Sequence, residues 1–455
     1  MRFHDGIANI EGVLHIGGLS AEELVATYGS PLYVYDEATL RARCREISAV
    51  SEDYPGLRVY YASKAFPNTA LERLFASEGL GIDVASEGEL LTALRAGIPG
   101  SEILLHGVVK PRSYLELGIA EDATIVLDSL ADMEQVALVA LGMNRIARCY
   151  LRLNPGVTGD STHPVTTAGN TKFGISLIDG SVYRAIAAAR NMSSVDLIGL
   201  HCHVGSQLGN TNIYAVTDKI LLSVLQKANE TGAALTGINL GGGFGVHYRE
   251  GQPGTTVNIG SFIREITTQV KKCCAELSLP LPRLSLELGR SLVAEAAVAI
   301  YRVAAVKTVP WLKDPLTATS DLAAAILDLT GLPQSGIVHS NYLIIDGGLY
   351  DNPRPLLYGA VYDAVLPLRL DEAADTTYTV SGMSCETDTL ISEVALPRVS
   401  PGEILAIPSS GAYQMAMSSN YQRMPKPAVV MVNDGQARII QRRQTLAEVL
   451  ALDEF

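Results

Sequence analysis

Eight short apolar runs, separated by amphipathic stretches, fill residues 34–295. They read LRVYYASK, LGIDVAS, ILLHGVV, TIVLDS, CYLRLNPG, DLIGLHCHVGS, GINLGGG and RLSLELGR. Intervening segments such as NTALERLFASEG, SEGELLTALRAG and ADMEQVALVALG place apolar residues three and four apart and often end in glycine, the pattern of helices packed on a sheet. Strands that alternate with helices build parallel sheets, and eight of them predict a (β/α)8 TIM-like barrel over residues 34–296. A doubly wound open sheet is the alternative.

The chain is longer than one barrel. Its 455 residues imply two or three domains. From residue 297 onward the runs are short, β-like and punctuated by Pro and Gly: VAIYRVAAV, NYLIIDGG, YTVSG, EILAIPS, AVVMVN and ARIIQRR. Residues 297–455 therefore read as a C-terminal antiparallel β domain, with an insertion over about 307–340 and a closing helix capped by Thr445. Residues 1–33, with the β-like EGVLHIGG, are expected to join that domain.

Charge and cysteine usage exclude whole classes. A net charge of −13 argues against a nucleic-acid or anionic-membrane surface. The six cysteines have no C-x-x-C spacing, so neither a disulfide framework nor a structural zinc site is expected. No basic stretch leads into a long apolar run at the N-terminus, and no apolar run reaches the ~20 residues of a membrane span. A reducing, cytoplasmic setting is the expectation.

The polar residues of interest fall at the C-terminal ends of the expected strands: Lys64, Asp83, His203, the Gly241–Gly243 run and Glu287. In a barrel those ends share one face, where barrel enzymes work. Lys64 has no acidic residue within seven positions on either side. A desolvated lysine without an adjacent acid favours its neutral, nucleophilic form; otherwise Lys64 is a snorkelling surface residue. NLGGGFGV is neither a dinucleotide fingerprint nor a Walker loop. Gly241, Gly242 and Gly243 still let backbone N–H groups approach a phosphate, and Ser206 in HVGSQ adds a hydroxyl. A tight packing turn is the competing reading. In HCH, His201 and His203 lie on one side of a strand. Either could be a core histidine or half of a metal pair, and His203 could stack on a planar ring. Glu287 ends an apolar strand and needs a cationic or proton-bearing partner, Arg290 or a protonated pyridine nitrogen. An amine, a stacking ring, a carboxylate and a phosphate cradle are together what pyridoxal 5'-phosphate requires.

In one order along nearly the whole chain stand YYASKAFPN, GIDVASEGEL, RLNPGV, KFGI, HCHVGSQ, NLGGGFG, ELGR, DGGLYDNPRPLLYGA, SCETDTL and GAYQMAMSSNYQRMPKPAVVMV. These motifs resemble the fold-type-III pyridoxal-phosphate decarboxylases, most closely the diaminopimelate decarboxylase family. The resemblance implies that Lys64 bonds the cofactor aldehyde, His203 stacks on its ring and Glu287 pairs with the ring nitrogen. It places Ser206, Gly243 and Tyr413 at the phosphate, and Asp83 and Glu89 as orienting groups. It makes Cys385 a proton donor to the site of a second subunit, and so implies a head-to-tail homodimer with shared sites. Arg290, Arg354, Tyr358, Glu386 and Tyr413 match the family's substrate contacts. A guanidinium for a distal carboxylate and an acid for a distal ammonium suit meso-2,6-diaminopimelate, whose loss of CO2 gives L-lysine. A relative acting on another amino acid with a distal carboxylate or amine, and a pyridoxal-phosphate racemase, are the alternatives. So is a non-catalytic or metal-dependent barrel.

Overall fold

The computed structural model describes residues 6–157, 171–249, 257–312 and 337–454. The chain forms two compact units. One consists of Tyr35–Ala297 with Ser409–Ala416, and the other of Ile7–Val34, Val298–Pro408 and Met417–Phe455.

The first unit is a closed parallel barrel. Its strands are β1 (Leu57–Ala62), β2 (Gly81–Val84), β3 (Ile103–Leu105), β4 (Thr124–Leu127), β5 (Ala147–Asn154), β6 (Val195–His201), β7 (Gly237–Asn239) and β8 (Arg283–Leu288). Each pairs in parallel with the next, and β8 returns to β1 with Glu287 opposite Tyr60. Closure excludes the open-sheet alternative and leaves no unpaired edge. These are the eight runs read from the sequence. Inside, Leu104, Val126, Tyr150 and Ile198 pack together with Tyr60 against them. The interior is thus filled by side chains, as a barrel of this size requires.

Capping residues fix where the outer helices begin. Asn68 accepts from the amides of Ala70 and Leu71 to start Thr69–Ser77, and Ser86 caps Glu87–Arg95. Ser129 does the same for Leu130–Gly142. After β1, β2 and β4 these caps keep the strand-to-helix connection short, so Lys64 and Asp83 stay close to the barrel rim.

The second unit is built on a mixed sheet. Its strands are β9 (Ala297–Leu312), β10 (Ile337–Ile345), β11 (Thr376–Ser381), β12 (Thr389–Leu396), β13 (Ile404–Ile407), β14 (Ala428–Asn433) and β15 (Gln436–Gln441). The order is β12-β11-β10-β9, then Leu32–Asp36, then β14-β15, with β13 also on β9. β9 pairs antiparallel with β10 and β13, β11 with β12, and β14 with β15, while β10 runs parallel to β11. That parallel pair departs from the all-antiparallel expectation. The 346–375 connection, which includes the helix Arg354–Tyr358, is long enough to carry the chain back to the starting edge. Within EGVLHIGG, Val13–Ile16 joins Ile7–Ile10 and Leu19–Ser20 in a separate three-stranded sheet. Within 307–340, residues 307–312 and 338–340 continue β9 and β10 as a paired ladder, and 313–336 lie outside the described residues.

The turn that carries Lys64 is braced from below. It is the single 3-10 turn Ser63–Ala65. Tyr61 bridges it, its hydroxyl donating to the Phe66 carbonyl at 3.0 Å and accepting from the Phe66 amide at 3.1 Å. Ser63 Oγ donates to Glu72 Oε1 at 2.6 Å, while Glu72 Oε2 is buried without a partner. Burial therefore pushes the Glu72 carboxyl up to about 8 despite the Ser63 bond. A carboxyl raised in the folded state binds a proton that the unfolded chain releases. Its stability contribution is complete below about 4.5 and is lost as pH rises through about 8. Glu72→Gln should thus gain stability over the wild type by about 3 kcal/mol more at pH 9 than at pH 6. Denaturant midpoints of both proteins at the two pH values measure this; equal differences at both would show Glu72 already ionised in the fold.

Candidate active site

Past the C-terminal strand ends of the barrel lies a cleft of about 420 Å3, open to solvent. Lys64, His203, Ser206, Gly243, Glu287, Arg290 and Tyr413 all line it. The sequence spreads these residues over 350 positions; the barrel closes them onto one face.

Glu287 is enclosed by nitrogen. Its Oε1 accepts from Asn239 Nδ2 at 2.8 Å and from His106 Nε2 at 3.0 Å, and His201 Nε2 approaches to 3.1 Å. None of these contacts falls on Oε2. Burial alone would raise this carboxyl, but the imidazoles of His106 and His201 together hold it well below the usual carboxylate range. Burial drives His201 down to about 4, so it stays neutral. Arg290 is not the partner of Glu287. Its Nη1 donates to the Tyr248 hydroxyl at 2.7 Å and its Nη2 to Ser206 Oγ at 3.2 Å, and its guanidinium lies 4.8 Å from the Tyr413 ring centre.

His201 and His203 also part company. His201 is buried against His106, their rings edge to face at 5.0 Å. His203 faces the cleft, and its Nδ1 accepts from the Gly242 amide at 3.3 Å. Burial first, then the Lys64 ammonium, push His203 down to about 3. A neutral ring that accepts at Nδ1 carries its proton on Nε2. The paired-metal reading of HCH is therefore not the geometry found. Ligand-type atoms of His106, His201 and Glu287 do converge within 4.8 Å. With the Asn239 amide on the same oxygen, they form a set of N–H groups around one carboxylate.

The glycine run follows β7 and is held to both neighbours. The Gly241 amide donates to Asn239 Oδ1, and the Gly241 carbonyl accepts from the Glu287 amide, each at 2.8 Å. A Cβ on Gly242 would stand 1.8 Å from the Glu287 carbonyl oxygen. Gly243 has φ +114°, and a Cβ there would lie 2.2 Å from the Gly205 carbonyl oxygen. Only glycine fits either position. Ser206 and Arg290 stand beside this run, giving a hydroxyl, a fixed cation and close backbone for an anion. Tyr413 reaches the cleft from the 409–416 segment in a left-handed conformation, φ 66°, with its amide on the Ala65 carbonyl at 2.8 Å. A bulky residue held there is strained, and such strain clusters at functional sites.

The charge state of Lys64 corrects the sequence expectation. Lys64 is exposed to the cleft, and Asp83, Tyr413 and Glu287 outweigh the desolvation of its surroundings and hold its ammonium above the ordinary value. The acids missing from its stretch of sequence come from β2 and β8. Asp83 is buried and pushed up to about 6, chiefly by burial, with His106 at 3.6 Å opposing the rise. Glu89 accepts from the Ala85 amide at 2.7 Å, and its own amide donates to the cap Ser86 at 3.2 Å.

The remaining predicted residues belong to the second unit. Arg354 opens the helix Arg354–Tyr358; it is buried and donates from Nη1 to the Tyr362 hydroxyl at 2.9 Å. Tyr358 closes that helix and is exposed. Cys385 is exposed, with its amide on Gln422 Oε1 at 3.1 Å. Glu386 beside it accepts from the Tyr421 hydroxyl at 3.2 Å.

Sequence reading missed His106 and Asn239, both bonded to Glu287, and Arg152, which stands 3.4 Å from Asp128 and 4.4 Å from the Phe173 ring. The available signal was position: each is a polar residue at the C-terminal end of a barrel strand.

A parallel barrel whose mouth holds a lysine amine, a neutral imidazole, an oriented carboxylate and an anion cradle defines a pyridoxal-phosphate enzyme. The residues fit that group: the three nitrogens on Glu287 all fall on Oε1, and Gly243 lines the cleft with Ser206 and Arg290, a hydroxyl and a cation suited to a phosphate. Residues 38–294 match the profile described as "Pyridoxal-dependent decarboxylase, pyridoxal binding domain". Diaminopimelate decarboxylase of Corynebacterium efficiens is 35% identical over 448 residues, covering 97% of this chain and 92% of that protein. The enzyme of the same name from Staphylococcus aureus is 36% identical, with 98% of each chain covered. Crystalline diaminopimelate decarboxylase from M. jannaschii in co-complex with L-lysine superposes with a TM-score of 0.85 at 26% identity, covering 99% of this chain and 98% of that one. The chain belongs to the pyridoxal-dependent decarboxylases of fold type III, in the diaminopimelate decarboxylase family.

Gly243→Ala should weaken pyridoxal-phosphate affinity by about tenfold or more, since both the left-handed φ and the Gly205 carbonyl oppose the added methyl. Fluorescence titration of the cofactor-free protein measures this; unaltered affinity would remove the glycine run from the cradle.

Proposed function

We propose that this protein decarboxylates meso-2,6-diaminopimelate to L-lysine and CO2, a carboxy-lyase reaction that depends on pyridoxal phosphate. The convergence of Lys64, His203, Glu287, Gly243 and Arg290 on one cleft carries the reading. When bound, the cofactor supplies an aldehyde that bonds amines and a pyridinium that accepts the electrons left when CO2 departs.

Each residue then has a physical task. Lys64 is the amine that holds the cofactor covalently between turnovers; it must shed its proton before it bonds, and Asp83, the buried acid whose charge acts on it most strongly, is proposed to take it. Glu287 stays ionised, and its negative charge favours a protonated ring nitrogen. His203 stays neutral and presents its ring face without adding positive charge. Ser206, Arg290, Tyr413 and the Gly241–Gly243 run hold the phosphate end. Arg354 and Tyr358 are proposed for the distal carboxylate of the substrate, and Glu386 for its distal ammonium. Cys385 is proposed as the proton donor to Cα after CO2 leaves. We place these residues in a head-to-tail homodimer, in which the second unit of one subunit serves the barrel of the other, in the cytoplasm. Among the described residues, no helix is long and apolar enough to cross a membrane.

CO2 release from meso-diaminopimelate, L-lysine and L-ornithine tests the substrate. Release from the first alone is expected, whereas faster release from L-lysine or L-ornithine would overturn the assignment. Borohydride reduction followed by peptide mass spectrometry should find the cofactor on Lys64, and Lys64→Ala should lose it. Shared sites make a separate prediction. Lys64→Ala and Cys385→Ala should each be inactive, and their mixed dimers should regain about a quarter of wild-type activity, because half the dimers are mixed and each holds one intact site. No recovery after subunit exchange would show that each subunit's site is complete in itself.

A further inference from the structure

The chain treats the two oxygens of Glu287 unequally. All three surrounding nitrogens fall on Oε1, none of these contacts reaches Oε2, and Glu287 lines the cleft. Asn239 has a second duty, since its Oδ1 accepts from the Gly241 amide at the start of the glycine run. His201 is enclosed and neutral. His106 differs from both. Its Nε2 stands between two buried carboxylates, 3.0 Å from Glu287 Oε1 and 3.6 Å from Asp83 Oδ1. Two buried acids that share a site cannot both stay ionised unless a donor separates them. Without His106, one of the pair takes a proton, and only the Asn239 and His201 nitrogens remain to fix the orientation of Glu287.

We propose that His106 is a positioning residue: it holds Glu287 ionised with Oε2 turned into the cleft, and thereby sets the preference of the site for a ring that bears a basic nitrogen. The inference rests on the pyridoxal-phosphate reading above. It goes beyond that reading because it assigns the discrimination to a residue that does not itself line the cleft. Its consequence is specific. Losing His106 should weaken binding through the ring nitrogen and leave the phosphate cradle and Lys64 as they were.

The test compares two ligands on cofactor-free protein: pyridoxal phosphate, and its analogue with carbon in place of the ring nitrogen. Dissociation constants are read by fluorescence titration for the wild type, His106→Leu and His106→Gln, with circular dichroism to confirm folding and His106→Ala in reserve should the leucine variant not fold. Glutamine returns an N–H near the lost Nε2. The wild type should prefer pyridoxal phosphate by about tenfold or more, the scale of a hydrogen bond to a charged group. His106→Leu should lose most of that preference at unchanged affinity for the carbon analogue, and His106→Gln should restore it. Equal weakening of both ligands, or a preference that survives in His106→Leu, overturns the inference. A wild type that binds neither ligand would overturn the cofactor reading instead.

Discussion

Everything at the mouth of this barrel depends on how one carboxylate oxygen is satisfied. Glu287 is buried, and burial by itself would leave it protonated and electrically silent. Nitrogens from His106 just past β3, His201 at the end of β6 and Asn239 at the end of β7 reverse that outcome. Such a shell needs side chains from strands 48 to 181 positions apart to arrive within hydrogen-bond reach of one atom. A closed parallel barrel meets the requirement because its strands all finish at the same rim. The fold therefore supplies the electrostatics, and the electrostatics supply the oriented charge.

The same oxygen ties the carboxylate to the anion cradle. Asn239 donates to Glu287 with one end of its amide and receives the Gly241 amide with the other. The Glu287 backbone amide in turn bonds the Gly241 carbonyl. The carboxylate proposed for the ring and the glycine run proposed for the phosphate thus share one bracket of hydrogen bonds. A displacement at either end would be felt at the other, which suits a site that must hold a flat cofactor at both extremities.

Much of this was legible beforehand, and what was not has physical causes. The eight strand runs were readable because each is apolar and bounded by a cap or a glycine. Lys64 and Glu287 were readable because each is a charge at the end of such a run. His106 was hidden inside ILLHGVV, where a histidine at a strand end looks like any buried ring. The electrostatics of Lys64 were misjudged because linear distance says nothing about neighbours on β2 and β8. Arg290 lies three residues from Glu287, yet it turns away: the chain leaves the strand at Leu288 and enters a helical turn at Arg290, which aims the guanidinium at Ser206 and Tyr248. The pairing of the N-terminal runs escaped prediction for a related reason. Four-residue strands carry too little pattern to choose between a local hairpin and a distant edge.

The short stretch Ser409–Ala416 groups with the barrel although it lies more than a hundred residues beyond the last barrel strand. It brings Tyr413 over Arg290 and ties it to the Ala65 carbonyl next to Lys64. Recombination between genes must respect that stitch. A hybrid joined once after Ala297 would pair one parent's lysine turn with the other parent's tyrosine, so keeping the two together while exchanging the rest of the chain beyond Ala297 needs three junctions rather than one.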